Sequence, residues 1–275
     1  GVRTYALPIC ETIPTLEDRA DEIGELGDSI SAMTNALYDR IDAIERFAAD
    51  VAHELKNPLT SLRSAVEVLE RTPEGPDRDR LMAVARNDLK RIDRLISDVS
   101  DASRLDAELS REKSGPVDIG RLLETMSEVY RTMKSPRGIT ITVAPDLPRT
   151  AIVDGLDERL GQVFRNLIDN AISFSPDNSV VRVGAGISGQ TVRAFVEDYG
   201  PGIPDENLER IFNRFYTERP PEHGFGRNSG LGLAIARQIV NSHGGRIWAE
   251  NKQNADGAKT GARFVVELPL AFAGT

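Results

Sequence analysis

From Ile30 to Leu69 apolar residues recur at steps of three and four: Ile30, Met33, Leu37, Ile41, Ile44, Ala48, Val51, Leu55, Leu59, Leu62, Val66 and Leu69. A period this sustained describes one long helix with a seam that must face another helix. A second run carries Leu81, Val84, Ala85, Leu89, Ile92, Leu95, Ile96, Val99, Ala102 and Leu105. Thr72-Pro-Glu-Gly-Pro76 between the two runs has turn composition. The two runs therefore predict an antiparallel helical hairpin. One hairpin cannot enclose both stripes, so pairing of two copies into a four-helix bundle, a homodimer, is expected.

Inside the seam lies Phe47-Ala-Ala-Asp-Val-Ala-His53-Glu54-Leu-Lys-Asn57-Pro58-Leu59. His53 is two residues from both Val51 and Leu55, so at ~100° per residue it points away from the buried stripe. Asn57 follows one turn later on the same face. Pro58 removes the amide that would have bonded the Glu54 carbonyl, so an interruption or bend is expected in a helix running from about 21 to 71. Asp21 and Glu22 suit the first turn of that helix.

Composition narrows the rest. The chain is 40% hydrophobic and 28% charged, which fits about two domains, and a formal charge of -9 argues against a nucleic-acid binder. The single cysteine, Cys10, excludes an internal disulfide and fits a reducing cytosol. No window approaches the ~20 apolar residues of a membrane span, and no signal peptide opens the sequence, so a cytoplasmic location is expected for this polypeptide. Residues 1–20 hold Pro8 and Pro14 without a period and read as a connector.

From Ser114-Gly-Pro116 onward the pattern changes to a mixed α/β layer. Helices are predicted over Val117–Met133, Leu156–Phe174 and Leu231–Ser242. Strands are predicted over Ile139–Val143, Val180–Ile187, Val192–Val196, Arg246–Trp248 and Ala262–Leu268.

Three clusters here could carry chemistry. Asn166 and Asn170 sit four apart beside the buried stripe of their helix, and two readings stay open, a polar or metal ligand pair and a solvated face. Asp198-Tyr-Gly200-Pro-Gly202-Ile203 follows an apolar strand, placing a carboxylate where it can accept from a ligand amine, or forming only a tight turn. Gly224-Phe-Gly226 through Gly230-Leu231-Gly232 opens a helix, an arrangement that offers amide donors to phosphate. Residues 204–229 between the last two clusters, with Pro220-Pro221 at the tip, read as a lid. Several matches fail. Gly184-Ala-Gly186-Ile-Ser-Gly189 has dinucleotide spacing but joins two strands, and His53-Glu54 lacks the second histidine of a zinc-protease helix. His223 and His243 are read as solvated.

Taken in order, His53-Glu54-Leu-Lys-Asn57-Pro58-Leu, Asn166-Leu-Ile-Asp-Asn170-Ala, Asp198-Tyr-Gly-Pro-Gly202, Ile211-Phe-Asn-Arg-Phe215-Tyr216 and Gly230-Leu-Gly232-Leu resemble the H, N, G1, F and G2 boxes of bacterial sensor histidine kinases. The resemblance covers roughly residues 44–270. The stretch around Asp21-Glu22-Ile23-Gly24 resembles the second half of a HAMP relay module, and the wording of the H box is most similar to ChvG-type kinases.

That resemblance implies an α+β multidomain fold: a dimeric antiparallel four-helix-bundle (DHp) domain plus an α/β sandwich ATP-binding domain of the Bergerat (GHKL) type. It implies boundaries of 1–43 for the connector and partial HAMP helix, 44–112 for the phosphotransfer hairpin and 113–275 for the ATP-binding domain. It also implies that His53 accepts the γ-phosphoryl group of ATP, with Glu54 as base or orienter, and that Asn57 positions water during dephosphorylation of a partner. Asn170 would hold Mg²⁺, with Asn166 in support, and Asp198 would take the adenine amino group. Gly200 and Gly202 would make room for nucleotide, Gly230 and Gly232 would receive phosphate oxygens, Ile203 and Leu231 would belong to the same cofactor-binding set, and Phe212, Phe215 and Tyr216 would anchor the lid, with core packing the alternative for at least one of them.

The implied partners are a second copy and a response-regulator receiver domain, with membrane attachment only through an N-terminal part absent from the sequence. The parent protein would then be an inner-membrane protein with this part in the cytoplasm. Family members often carry a basic residue three positions after the second asparagine of the N box; here it is Ser173, and Arg214, Arg219 or Arg227 could compensate. Two rival readings are an ATP-driven clamp of the Hsp90 and gyrase superfamily, disfavoured by Asn166 at the usual place of a catalytic glutamate, and an ATP-binding scaffold without transfer.

Overall fold

In the computed structural model of the chain, residues 22–111, 114–133, 137–148, 150–216, 229–254 and 257–271 are described. Cys10, Asp21, Arg219, Pro220, Pro221, His223, Gly224, Gly226 and Arg227 lie outside them. The chain falls into two units, one ending at Glu54 and one beginning at Leu55.

The described part of the first unit belongs to helix α1 (Glu22–Leu69). Its apolar stripe is uncovered: Ile30, Met33, Leu37, Ile41 and Ile44 are each between 42% and 73% exposed. Nearly every other position of this stretch is exposed too, so the apolar stripe has no cover within the described part of the first unit.

The second unit holds the remainder of α1, the turn and helix α2 (Pro76–Arg111). Proline suits the first helical position because its missing amide had no partner there, and Asp77 and Asp79 complement the positive helix end. Arg78 ties the turn together by donating to the carbonyls of Leu69 and Thr72 at 3.1 and 3.0 Å. The expected interruption at Pro58 is absent, since α1 runs on through it as helix. Pro58 itself is buried, and one lost amide bond is made up by the ladder on either side and by packing.

Five strands form the main sheet: β2 (Thr140–Val143), β4 (Val180–Ser188), β5 (Thr191–Glu197), β6 (Arg246–Gln253) and β7 (Lys259–Pro269). Their order is β2-β4-β5-β7-β6, with β2 parallel to β4 and every other pair antiparallel. Helices α3 (Ile119–Thr132), α4 (Asp157–Phe174) and α5 (Gly232–Ser242) bury Leu123, Leu160, Phe164, Leu167, Ile168, Ile235 and Ile239. This is a helical hairpin region followed by an α/β sandwich, as the sequence predicts.

Two short strands were not anticipated. β1 (Gly115–Asp118) pairs antiparallel with β3 (Ile152–Gly155), so Val117 and Asp118 belong to a strand and not to the helix predicted from Val117. Asp118 then caps α3, its Oδ1 accepting from the amides of Gly120 and Arg121 at 3.0 and 3.3 Å. β6 also extends five residues past Trp248, to Gln253. The Gly184-to-Gly189 match is a hairpin, as read. Gly184 pairs with Phe195, and a Cβ there would stand 2.5 Å from the Phe195 ring.

Candidate functional site

Helix α4 buries Leu160, Val163, Phe164, Leu167, Ile168 and Ala171, which leaves Asn166 and Asn170 half-buried along its edge. Asn166 Nδ2 donates to the Gly232 carbonyl at 2.9 Å, fastening α4 to the start of α5. The Phe215 amide donates to the Gly230 carbonyl at 2.9 Å. Gly230 has φ +76°, and a Cβ there would lie 2.8 Å from the Phe215 backbone, so this turn requires glycine. Phe215 is itself left-handed, with φ +59°. The buried Ser229 hydroxyl accepts from the Leu231 amide at 3.2 Å and donates to Asp98 of α2. A second contact joins Gln162 Nε2 to Asp101 at 3.4 Å. Burial pushes the Asp98 carboxyl above its ordinary range, against the Ser229 bond that favours the charge. Three other segments, from α2, α4 and the stretch around Phe215, thus converge on the turn that opens α5.

The second element is Asp198, one residue past β5 and 3% exposed. Its Oδ1 accepts from the amides of Gly200 at 2.8 Å and Ala262 at 3.1 Å. Burial raises this carboxyl, the two amides and Lys252 oppose the rise, and Glu197 adds to it. A Cβ on Gly200 would stand 2.7 Å from the Phe174 carbonyl, so the turn presses against the end of α4. Ile203 is held at both backbone groups. Asn251 accepts from its amide at 2.8 Å and donates to its carbonyl at 2.7 Å, and Lys259 donates to the same carbonyl at 2.8 Å and to Asp205 at 2.9 Å.

The aromatic cluster divides. Phe212 is core, 2% exposed, and meets Phe264 edge-on at 6.4 Å. Arg237 of α5 lies over the Phe212 ring at 5.3 Å and donates to its carbonyl at 3.0 Å, pinning this segment to α5. Tyr216 is half-buried beneath Arg210.

On α1, His53 and Asn57 are exposed and Glu54 is half-buried. His243 is not a solvated histidine. It accepts from the Leu156 amide on Nε2 at 3.1 Å, which places its proton on Nδ1, facing the Ile239 carbonyl at 2.7 Å. Near Ser173, Arg137 donates to the carbonyls of Ile172, Ser173 and Ser175 and to Asp177, so this cation caps the C-terminal end of α4. Sequence reading missed Ser229, Arg237, Asn251, Lys252, Lys259 and Gly261. Asn251 lies 48 residues beyond its partner Ile203 with no spacing rule to join them. Ser229, immediately before Gly230, was the one within reach of a capping argument.

The first unit thus carries an exposed histidine on a long helix, and the second a buried aspartate at a strand end and a glycine turn opening a helix. Residues 43–108 match the family described as His Kinase A (phospho-acceptor) domain. Residues 155–271 match the histidine kinase-, DNA gyrase B- and HSP90-like ATPase family. The chain belongs to the sensor histidine kinases. It is similar to the sensor protein ChvG of Rhizobium meliloti, 51% identical over 94% of this chain and 46% of that protein. It is likewise similar to ChvG of Agrobacterium fabrum, 49% identical over 95% of this chain and 45% of that protein. The chain thus spans about half the length of these curated relatives. Among solved structures it resembles histidine kinase ThkA in complex with response regulator protein TrrA, with a TM-score of 0.67, 25% identity, and coverage of 85% of this chain and 64% of that one.

Proposed function

We propose that the chain transfers the γ-phosphoryl group of ATP to His53 and then to an aspartate on a response-regulator receiver domain, and that it also dephosphorylates that regulator. The observation that carries this reading is Asp198: a buried carboxylate with one oxygen already bonded by two amides has its second left to receive an adenine amino group. The 43–108 match, which spans the exposed His53, supports that residue as the acceptor. In the transfer an imidazole nitrogen bonds to the γ-phosphorus as its bond to the ADP oxygen breaks, and Glu54 takes or orients the ring proton.

The residues fit Mg²⁺ without supplying a cage. Among the described residues no cluster of three His, Cys, Asp or Glu could hold a metal. An ion that takes one side-chain oxygen and completes its shell with phosphate and water suits an asparagine, and Asn170 would hold it. When bound, Mg²⁺ neutralises charge on the phosphates. Asn166 braces Gly232, the amides of Gly230 and Gly232 receive phosphate oxygens, and Leu231, whose amide is held by Ser229, lines the turn between them. Gly200, Gly202 and Ile203 shape the adenine side, and Phe215 and Tyr216 root the lid.

The exposed stripe from Ile30 to Ile44 supports a homodimer through α1. The proposed division is 1–43 connector and partial HAMP helix, 44–112 phosphotransfer hairpin and 113–275 ATP-binding domain. Among the described residues no helix is long and apolar enough to cross a membrane. We assign membrane attachment to a further N-terminal part of the parent protein, with this portion cytoplasmic.

Incubation with γ-labelled ATP and Mg²⁺ tests the reading. Label that is acid-labile and alkali-stable is expected, and acid-stable label would mean a hydroxyl acceptor instead. Asp198→Asn should weaken ADP binding in calorimetry by roughly ten- to a hundredfold, since a charge-assisted hydrogen bond contributes about 1.5–3 kcal/mol; unchanged affinity would move the adenine site elsewhere. Asn57→Ala should leave autophosphorylation within about twofold, because an exposed helical side chain contributes little to stability, while regulator dephosphorylation slows. Equal loss of both activities would make Asn57 structural.

A further inference from the structure

Lys252 of β6 lies in the same cluster as Asp198 and is unusually placed for a cation. Its ammonium is buried and has no hydrogen-bond acceptor among the described residues. It sits 3.6 Å from the centre of the Tyr199 ring and 3.7 Å from Glu197 Oε2. Its partner across the β6–β7 pair is Gly261, against which the Asp198–Tyr199 backbone packs. A buried ammonium with no acceptor is costly unless opposite charge surrounds it.

Glu197, 2% exposed, already meets Arg263 through two nitrogens, one at 2.6 Å, with Arg182 of β4 at 3.8 Å. Arg263 also meets Glu250 at 3.6 Å, so two guanidinium groups balance the two carboxylates Glu197 and Glu250 without Lys252. The remaining negative group in the cluster is Asp198, which Lys252 attracts while Glu197 repels it.

We propose that Lys252 is a positioning residue for adenine recognition: its ammonium clamps the Tyr199 ring and holds Asp198 as a carboxylate able to accept from the adenine amino group. This rests on the reading of Asp198 as the adenine contact. The groups acting on Asp198 are the amides of Gly200 and Ala262, Glu197 on its own strand and Lys252 from β6. Arg182 from β4 and Arg263 from β7 act on it through Glu197. Burial favours the neutral acid, Lys252 favours the charged form, and nucleotide selects the charged form. Affinity should therefore be present above the carboxyl's titration and lost as pH falls through it. Removing Lys252 should move that loss to higher pH.

The test is ADP affinity by calorimetry from the carboxylate range to above neutrality, for the parent, Lys252→Met, Lys252→Gln, Lys252→Arg and Asp198→Asn. The Asp198→Asn profile reports the pH dependence of the nucleotide itself and of other groups. Relative to it, the midpoint in Lys252→Met and Lys252→Gln should rise by roughly one pH unit, the lower end of what a neighbouring opposite charge imposes. Lys252→Arg should keep the parent midpoint. Glutamine is included because it can bond Glu197 and keep the fold if methionine does not. A loss of affinity by the same factor at every pH in the neutral variants, or an unmoved midpoint, overturns the proposal. Should Asp198→Asn bind ADP as the parent does, the adenine reading itself fails, whatever Lys252 does.

Discussion

Glutamine in place of His53 should abolish incorporation of label from γ-labelled ATP. The amide keeps the length and polarity of the imidazole but has no nitrogen lone pair basic enough to bond phosphorus. His53 is exposed on α1, so the exchange should cost less than about 0.5 kcal/mol of stability, as surface changes usually do. ADP affinity should be unchanged, which separates loss of the acceptor from loss of the nucleotide site. Label that survives His53→Gln would move the acceptor elsewhere. In mixtures of His53→Gln with Asp198→Asn, label on the latter beyond what it acquires alone would mean that transfer crosses between protomers, and no such excess would place it within one.

Alanine at Gly261 should damage the fold and the nucleotide site together. Gly261 has φ +144°, a region L-residues rarely enter, at a strain of roughly 1–3 kcal/mol. Its Cβ would also overlap the Asp198 carbonyl and stand 2.9 Å from the Asp198 carbonyl carbon and 3.0 Å from Tyr199 Cα. Backbone occupies that space, so no side chain can rotate away, and relief requires the Asp198–Gly202 turn to lift. Melting should fall by roughly 2–4 °C for each kcal/mol lost in a domain of this size. ADP affinity should fall at least tenfold. Gly257→Ala is the matched control: its φ of +79° is also strained, but its Cβ would meet nothing within 4 Å. It should lower the melting temperature modestly and leave ADP affinity alone. If both variants bind ADP like the parent, Asp198 is not held in place through Gly261.

The residues legible in the sequence were those whose signal is local. His53 and Asn57 were placed by helical phase, Asn166 and Asn170 by their spacing beside a buried stripe, and Gly230 and Gly232 by their position before a helix. Helices α4 and α5 were found within one residue of their bounds because a 3.6-residue period over several turns is hard to mimic. β1 and β3 were missed because four residues are too few for alternation to register, and each exists only through the other. His243 was misread for the same reason. Its partner, the Leu156 amide, lies 87 residues earlier and is next to it only in the fold.

By itself the sequence determined the kind of elements, their order and the chemical groups they offer, because periodicity, capping and box wording depend on neighbours within a few residues. The tertiary structure alone decided how those groups are held. Asn166 serves as a brace on Gly232, Phe212 belongs to the core while Phe215 takes a left-handed turn beside Gly230, and Asp198 is fixed by Ala262 from another strand. Pairing across β5, β6 and β7 brings Lys252 and Gly261 to Asp198, and such long-range contacts follow from sheet register and packing, which no local window of sequence contains.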